Sequence, residues 1–294
     1  MNRWTAWLVT IALLTGTASS QILSDRESKQ YRKDVKNAIL DNERVLIPDA
    51  DALKAISLGN TSLMADLLWI KLIQYFGTGS PFATYQAIPG YIERITDLDP
   101  KFAYAYQFGL LVLPFMNQAE RAEQLGLKSE PYITNDGMVS FYMASNYHIN
   151  LKNYKKAAEY YERASKQEGA PGASERLAAI ALSQSKESIN DRLVAINFWQ
   201  TVIDNSKSEG EKKRAEAWLY HMQIVYALEV FVEQYKGKTG AFPADLQQLV
   251  TEKYLASIPP SPIYRRLILD NKTGRISFDT LDQAAYEKSL EEPE

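Results

Sequence analysis

The sequence predicts a mainly α-helical protein: a solenoid of paired helices followed by a small C-terminal α+β module with a β-hairpin. Three observations predict it. Apolar residues recur at three- and four-residue steps from about residue 51 to 234, the spacing of one helix face. A four-then-three apolar step returns along that stretch at near-regular intervals, as repeat architectures require. After Tyr235, prolines, a Gly-containing turn and strand-like alternation replace the helical pattern. The expected organisation is an export signal over 1–20, a lead-in over 21–50, helical repeats over 51–225, a C-terminal module over 226–281 and an acidic tail over 282–294.

The N-terminal element reads as an export signal. Arg3 supplies a positive start, and Trp4 to Gly16 is an uncharged, mostly apolar run of 13 residues. As a helix it would cover roughly 20 Å, short of the ~30 Å core that a membrane-spanning helix must cross. Ala18 and Ser20 place small residues where a signal peptidase needs them, so cleavage is expected after Ser20. An uncleaved anchor is the alternative.

The helical middle is best read around Tyr154. Ala157, Tyr161 and Ala164 are spaced by four and three and share one face. Phe141, Ala144 and His148 form the matching stripe on a preceding helix, and residues 150–153 make a polar turn between the two. Small alanines let the helices approach closely, while Phe141 and Tyr161 fill the wider gaps. The same step occurs upstream at Ile88, Ile92 and Ile95, where Pro100 stops the helix before Phe102 begins another. It occurs again downstream at Ala195, Trp199 and Val202, before the polar break 204–206. Ala157 and Ala195 are 38 apart and Ile88 and Ala157 are 69 apart, which suggests a period of 34 to 38.

These residues resemble the tetratricopeptide repeat family. The match is best at Phe141, Ala144, Tyr154, Ala157, Tyr161 and Ala164, followed by residues 169–171, and Asp99-Pro100 with Ala105, Phe108 and Gly109 looks like a second repeat junction. The small residue where the helices of a hairpin first meet is Gly only at Gly109 and becomes Ser145 in the next repeat, and a third repeat keeps only its second helix clearly. The resemblance therefore describes degenerate repeats over about residues 60 to 225. The stretch from Ala65 to Trp69, continuing through Ile73 to Gly77, also resembles the first helix of exported bacterial proteins of this class. The resemblance implies a groove in which a peptide or helix of a partner lies. Its candidate lining is Gln74, Tyr106, Tyr142 and Asn146, flanking the packing stripe on the first helix of each pair.

In the C-terminal module, residues 236–240 are expected to break a long helix that starts near Glu211. Pro243 then opens a short helix carrying Leu246, Leu249 and Val250. Pro259, Pro260 and Pro262 forbid regular structure, and the runs 264–270 and 275–280 flank a four-residue turn, which reads as a β-hairpin. The order Tyr235, Gly240, Pro243, Leu246, Leu249, Leu255, Ile258, Pro262 resembles the globular part of type II secretion pseudopilins over about 55 residues. The processed hydrophobic N-terminal helix of that family is missing, and residues 261–264 replace its usual turn, so polymerisation as a pilin is not expected. A cap on the last helical hairpin and a partner-binding module are both open for this region.

Composition narrows the chemistry. The 294 residues carry 33 Lys and Arg against 36 Asp and Glu, a net charge of −3, with no cysteine and two histidines. Thiolate nucleophiles, disulfides and thiolate metal sites are excluded, and the acidic balance disfavours a nucleic-acid binder. No nucleophile elbow, phosphate-cradling loop or zinc-protease signature occurs. His148 lies on the apolar stripe and reads as a packed histidine, as does His221 beside Tyr220 and Met222. Glu159 and Glu162, with Lys155, Lys156 and Arg163, read as a solvated, ion-paired helix face. The expectation is an exported, periplasmic or extracellular binding scaffold without catalytic residues, metal or cofactor, serving a protein or peptide partner and binding no nucleic acid. A structural component of a pilus or secretion apparatus is the alternative, and a carboxylate-based cell-wall enzyme the second.

Overall fold

A computed structural model describes residues 26, 28–31, 47–77, 85–263 and 266–278. The expected signal, most of the lead-in and the acidic tail lie outside these residues. The protein is mainly helical, with one two-stranded antiparallel sheet. It divides into two compact units after Ala105, whereas the sequence-based boundary at 225/226 falls inside one continuous helix.

In the first unit, α1 (Ala50–Ile56) is capped by Asp49, whose side chain accepts from the amide of Ala52 at 2.7 Å. Leu58 and Gly59 turn the chain with positive φ into α2 (Thr61–Gly77). That helix packs along α3 (Ile88–Leu98). Ala65, Leu68, Leu72 and Tyr75 are buried on α2, and Ile88, Ile92, Ile95 and Leu98 on α3. Pro89 sits in the first turn of α3, where its missing amide is harmless. Trp69 meets Phe102 edge-on at 5.5 Å. Among the described residues no single helix is long and apolar enough to cross a membrane.

α4 (Ala103–Phe115) carries the division between the units. The second unit continues with α5 (Ala119–Ser129), α6 (Gly137–Ser145) extended by a π-helical turn at Asn146–Asn150, α7 (Tyr154–Ser165), α8 (Ser174–Gln184), α9 (Ile189–Asn205) and α10 (Glu209–Thr239). From α6 onward each helix packs on the next. Side-chain caps start most of them: Asp136 before α6, Asn153 before α7, Ser188 before α9 and Ser208 before α10, each such cap contributing about 1 kcal/mol. α8, directly before α9, leaves little apolar signal in the sequence. Its alanines hide it from a search for large apolar residues, yet Ala178, Ala179 and Ala181 are all fully buried.

The C-terminal part departs from expectation in its boundaries. α10 begins at Glu209 and runs through Gly237 to Thr239, and Gly240 ends it in the left-handed region at φ 81. α11 (Leu246–Thr251) opens after Asp245, whose side chain caps it, not at Pro243. β1 (Leu267–Asp270) and β2 (Arg275–Phe278) pair with Leu267 opposite Phe278 and Asp270 opposite Arg275. The rest of the expected strand ends, at 264–265 and 279–280, lies outside the described residues. Leu246, Leu249 and Ile276 close over Val225, Leu228, Val232 and Tyr235 of α10.

A buried ion pair fastens this sheet to the helices. Arg192 of α9 and Glu229 of α10 are 1% and 0% exposed. The guanidinium donates from Nε and Nη2 to one Glu229 oxygen at 3.2 and 3.0 Å, and from Nη1 to the carbonyl of Ser183 at 2.8 Å. Ile276 donates its amide to that Glu229 oxygen at 2.8 Å, and its carbonyl accepts from Arg192 at 2.7 Å. The pair thus takes the place of a neighbouring strand along the outer edge of β2. Beside it Trp199 stacks on Trp218 at 5.2 Å, and the Trp199 indole donates to Ser183 at 3.0 Å.

Candidate functional site

Ala144, Ala157, Tyr161 and Ala164 are buried where α6 meets α7. Phe141 and Tyr154 are half-buried beside them. The Phe141 and Tyr161 rings meet at 5.4 Å, and the Tyr161 hydroxyl lies 3.1 Å from that of Ser145. His148 sits edge-on to Tyr154 and Tyr161 with Nε2 3.1 Å from the Gln184 amide oxygen, and burial holds its pKa below the ordinary 6.5.

The four predicted groove positions divide. Gln74 is exposed on α2 and Tyr142 half-buried on α6. Tyr106 is fully buried, in line with Leu110 and Leu113 at steps of four and three, while the exposed face of α4 carries Tyr104, Leu111 and Phe115. Asn146 is also buried, and its amide donates to the carbonyl of Ala119 at 2.8 Å. Asn146 opens the π-helical turn, whose extra residue rotates the following positions relative to a regular helix. Tyr106 and Asn146 therefore do not line an open surface.

A different polar surface lies along α5 and α7. Lys156 donates to Glu123 at 3.1 Å, and Arg163 to Glu130 at 2.7 Å. Each carboxylate also takes a tyrosine hydroxyl: Tyr147 on Glu123 and Tyr160 on Glu130, both at 2.7 Å. The two tyrosine rings lie 5.4 Å apart, with the Arg163 guanidinium 4.5 Å over Tyr160. The ladder continues in Gln167, which donates to the Thr134 carbonyl at 2.9 Å. Four links span 33 residues in sequence, Lys156–Glu123, Arg163–Glu130, Gln167–Thr134 and Glu168–Asn135, whereas the Tyr160–Glu130 bond spans 30. The expected self-paired face on α7 is thus replaced in part by pairing across helices, while Glu162 and Lys166 bond along the helix at 2.6 Å.

Beside the ladder a cleft of about 260 Å³ is lined by Ser129, Glu130, Thr134, Ser140, Arg163 and Gln167, among others. Gly126 lies at its wall, where a Cβ would strike the Met143 side chain. The electrostatics of the ladder oppose proton transfer. The Tyr147 bond and then Lys156 hold Glu123 below the usual carboxylate range. Burial alone would raise Glu130, but Arg163 and Tyr160 outweigh it and hold it low. Burial, reinforced by the carboxylate each one bonds, pushes the Tyr147 and Tyr160 hydroxyls up. At neutral pH the carboxylates stay charged and the phenols stay protonated, so the cleft offers fixed donors and acceptors. Among the described residues no group of three or more His, Asp or Glu is placed to hold a metal ion.

Sequence reasoning missed this ladder and the Arg192–Glu229 pair. The ladder had a signal: Glu123 and Glu130 repeat at the seven-residue spacing of Lys156 and Arg163, 33 positions on. In comparisons with known proteins, no family model, no curated protein and no solved structure matches the chain.

Proposed function

We propose that the chain is a non-catalytic, exported scaffold of degenerate tetratricopeptide-like repeats that positions a protein or peptide partner against the α5–α7 surface. A 33-residue offset recurring in four links along α5, α7 and the segments that follow them is the observation that carries this reading, because successive helical repeats place equivalent positions a fixed number of residues apart. The cleft adds unspent hydrogen-bonding capacity beside half-exposed Arg163. Export rests on the N-terminal sequence.

Arg163→Glu tests the reading. The Glu130 pair is surface-exposed, so its loss costs at most about 1 kcal/mol and the new repulsion with Glu130 adds a similar amount; circular dichroism checks that the variant folds. Cross-linked envelope fractions should yield a defined partner with the parent chain and at least tenfold less of it with Arg163→Glu at equal abundance. Equal recovery from both chains would sink the proposal.

A second reading is a structural component of a pilus or secretion apparatus. It is favoured by one feature: a long helix ending at Gly240 with a small sheet laid over it. Under this reading the protein sediments with a large envelope assembly after gentle detergent extraction, and sedimentation as a free species contradicts it.

A further inference from the structure

α2 carries large apolar residues on two opposite sides, and such a helix is stable in water only when both are covered. Within its unit it is buried on one. Ala65, Leu68, Leu72 and Tyr75 face inward, while Leu63, Leu67, Ile70 and Ile73 on the other side remain 53%, 49%, 51% and 41% exposed. Gln74 lies in the same stripe, and Asp66 and Lys71, the only charged residues of the helix, border it on opposite flanks, all three exposed.

The spacing of these residues identifies what covers the stripe. Leu67 and Gln74 are seven apart, as are Leu63 and Ile70, and the two series interleave by four and three. That is a heptad seam with Leu67 and Gln74 at a and Leu63 and Ile70 at d. Asp66 then falls at g and Lys71 at e. In a parallel, in-register pair of helices, g of one chain faces the e position five residues further on in the other. Asp66 and Lys71 are five apart and opposite in sign, so each copy supplies the charge the other needs. A polar residue at one a position, here Gln74, further favours a fixed register. A lipid surface fits worse, since Asp66 lies between Ile70 and Ile73 around the helix and would be drawn into the hydrocarbon.

We infer that α2 is the seam of a parallel homodimer, with Leu63, Leu67 and Ile70 of two copies packed together and Asp66 of each paired with Lys71 of the other. This surface is separate from the α5–α7 cleft and does not depend on the function proposed for it.

The absence of native cysteine permits a direct test in the full chain. Ile70→Cys and Gln74→Cys, made singly, each bring two identical positions together in a parallel seam and should form intermolecular disulfides readily. Tyr132→Cys, exposed but in the other unit, should not. No disulfide at either seam position, or equal yields at all three, would overturn the inference, and so would cross-linking confined to a mixture of Leu63→Cys and Gln74→Cys chains, which marks an antiparallel pair. Asp66→Lys alone and Lys71→Asp alone should each weaken self-association about tenfold by setting like charges opposite. The double swap should restore it, and a double variant no better than the singles contradicts the pairing. Circular dichroism checks that these surface variants fold. Addition of phosphatidylglycerol and phosphatidylethanolamine vesicles should leave the dimer intact. Binding of monomers to those vesicles through the stripe would identify it as a lipid face instead.

Discussion

Arg192 has few neighbours in sequence that announce its role, yet its guanidinium joins three elements. Because Glu229 is wholly buried, Arg192→Met leaves its carboxylate with only the longer contact to Arg275 at 3.9 Å, at a cost toward the lower end of about 3–5 kcal/mol, readable as a lower urea midpoint. Replacing both partners by apolar residues often restores stability at buried pairs. Here Arg192→Met with Glu229→Leu should remain destabilised, because the Ile276 amide and carbonyl lose their partners, each at about 1–3 kcal/mol. Full recovery by the double variant would show that the strand-edge bonds contribute nothing. The acid side of the stability profile has its own origin. Glu123 and Glu130 are held below their ordinary 4.5, so the stability they add is complete above that value and is lost as pH falls through the lower, folded-state one. His148, lowered from 6.5, adds a loss that begins as pH drops below 6.5. Melting curves from pH 7 downward should therefore decline in two stages, with the lower stage flattened in a Glu123→Gln, Glu130→Gln double variant.

At the scale of elements, the helices are legible where their buried faces use residues of contrasting size. Ala157, Tyr161 and Ala164 announce α7, and Ala195, Trp199 and Val202 announce α9, because alternating small and large apolar residues leave a strong period. α8 buries mostly alanine and serine and leaves a weak one. Tyr106 was assigned to an exposed face because both sides of α4 are apolar, so periodicity alone does not choose between them. Asn146 was misplaced by the π-helical turn, which has no local composition that marks it. The end of α10 was legible only in part. Gly237 sits within the helix at a position where no side chain is needed, while Gly240 adopts the left-handed conformation that stops it. Gly240→Ala should cost about 1–2 kcal/mol, from the penalty of an L-residue in that region, and Gly237→Ala should stabilise slightly. Thermal melts of the two variants distinguish these glycines, and equal shifts would contradict their assignment.

At the scale of the molecule, charge and composition exclude thiol chemistry and disfavour nucleic-acid binding, but they do not select a binding surface. The surface proposed above follows from tertiary pairing at a 33-residue offset, which a search for apolar stripes overlooks because its members are charged or phenolic. Surface pairs of this kind contribute little to stability. Their regularity is better understood as positioning, holding Arg163 and the cleft beside it in one geometry. In the proposed function a protein partner occupies this cleft. This occupancy is tested most directly by placing a photo-cross-linking amino acid at Thr134, on the cleft rim, and separately at Tyr220, exposed on α10 and outside the cleft. Illumination of living cells should give one discrete heavier adduct from the Thr134 position and none of that mass from Tyr220. Absence of an adduct at Thr134, or the same adduct from both positions, would contradict the account.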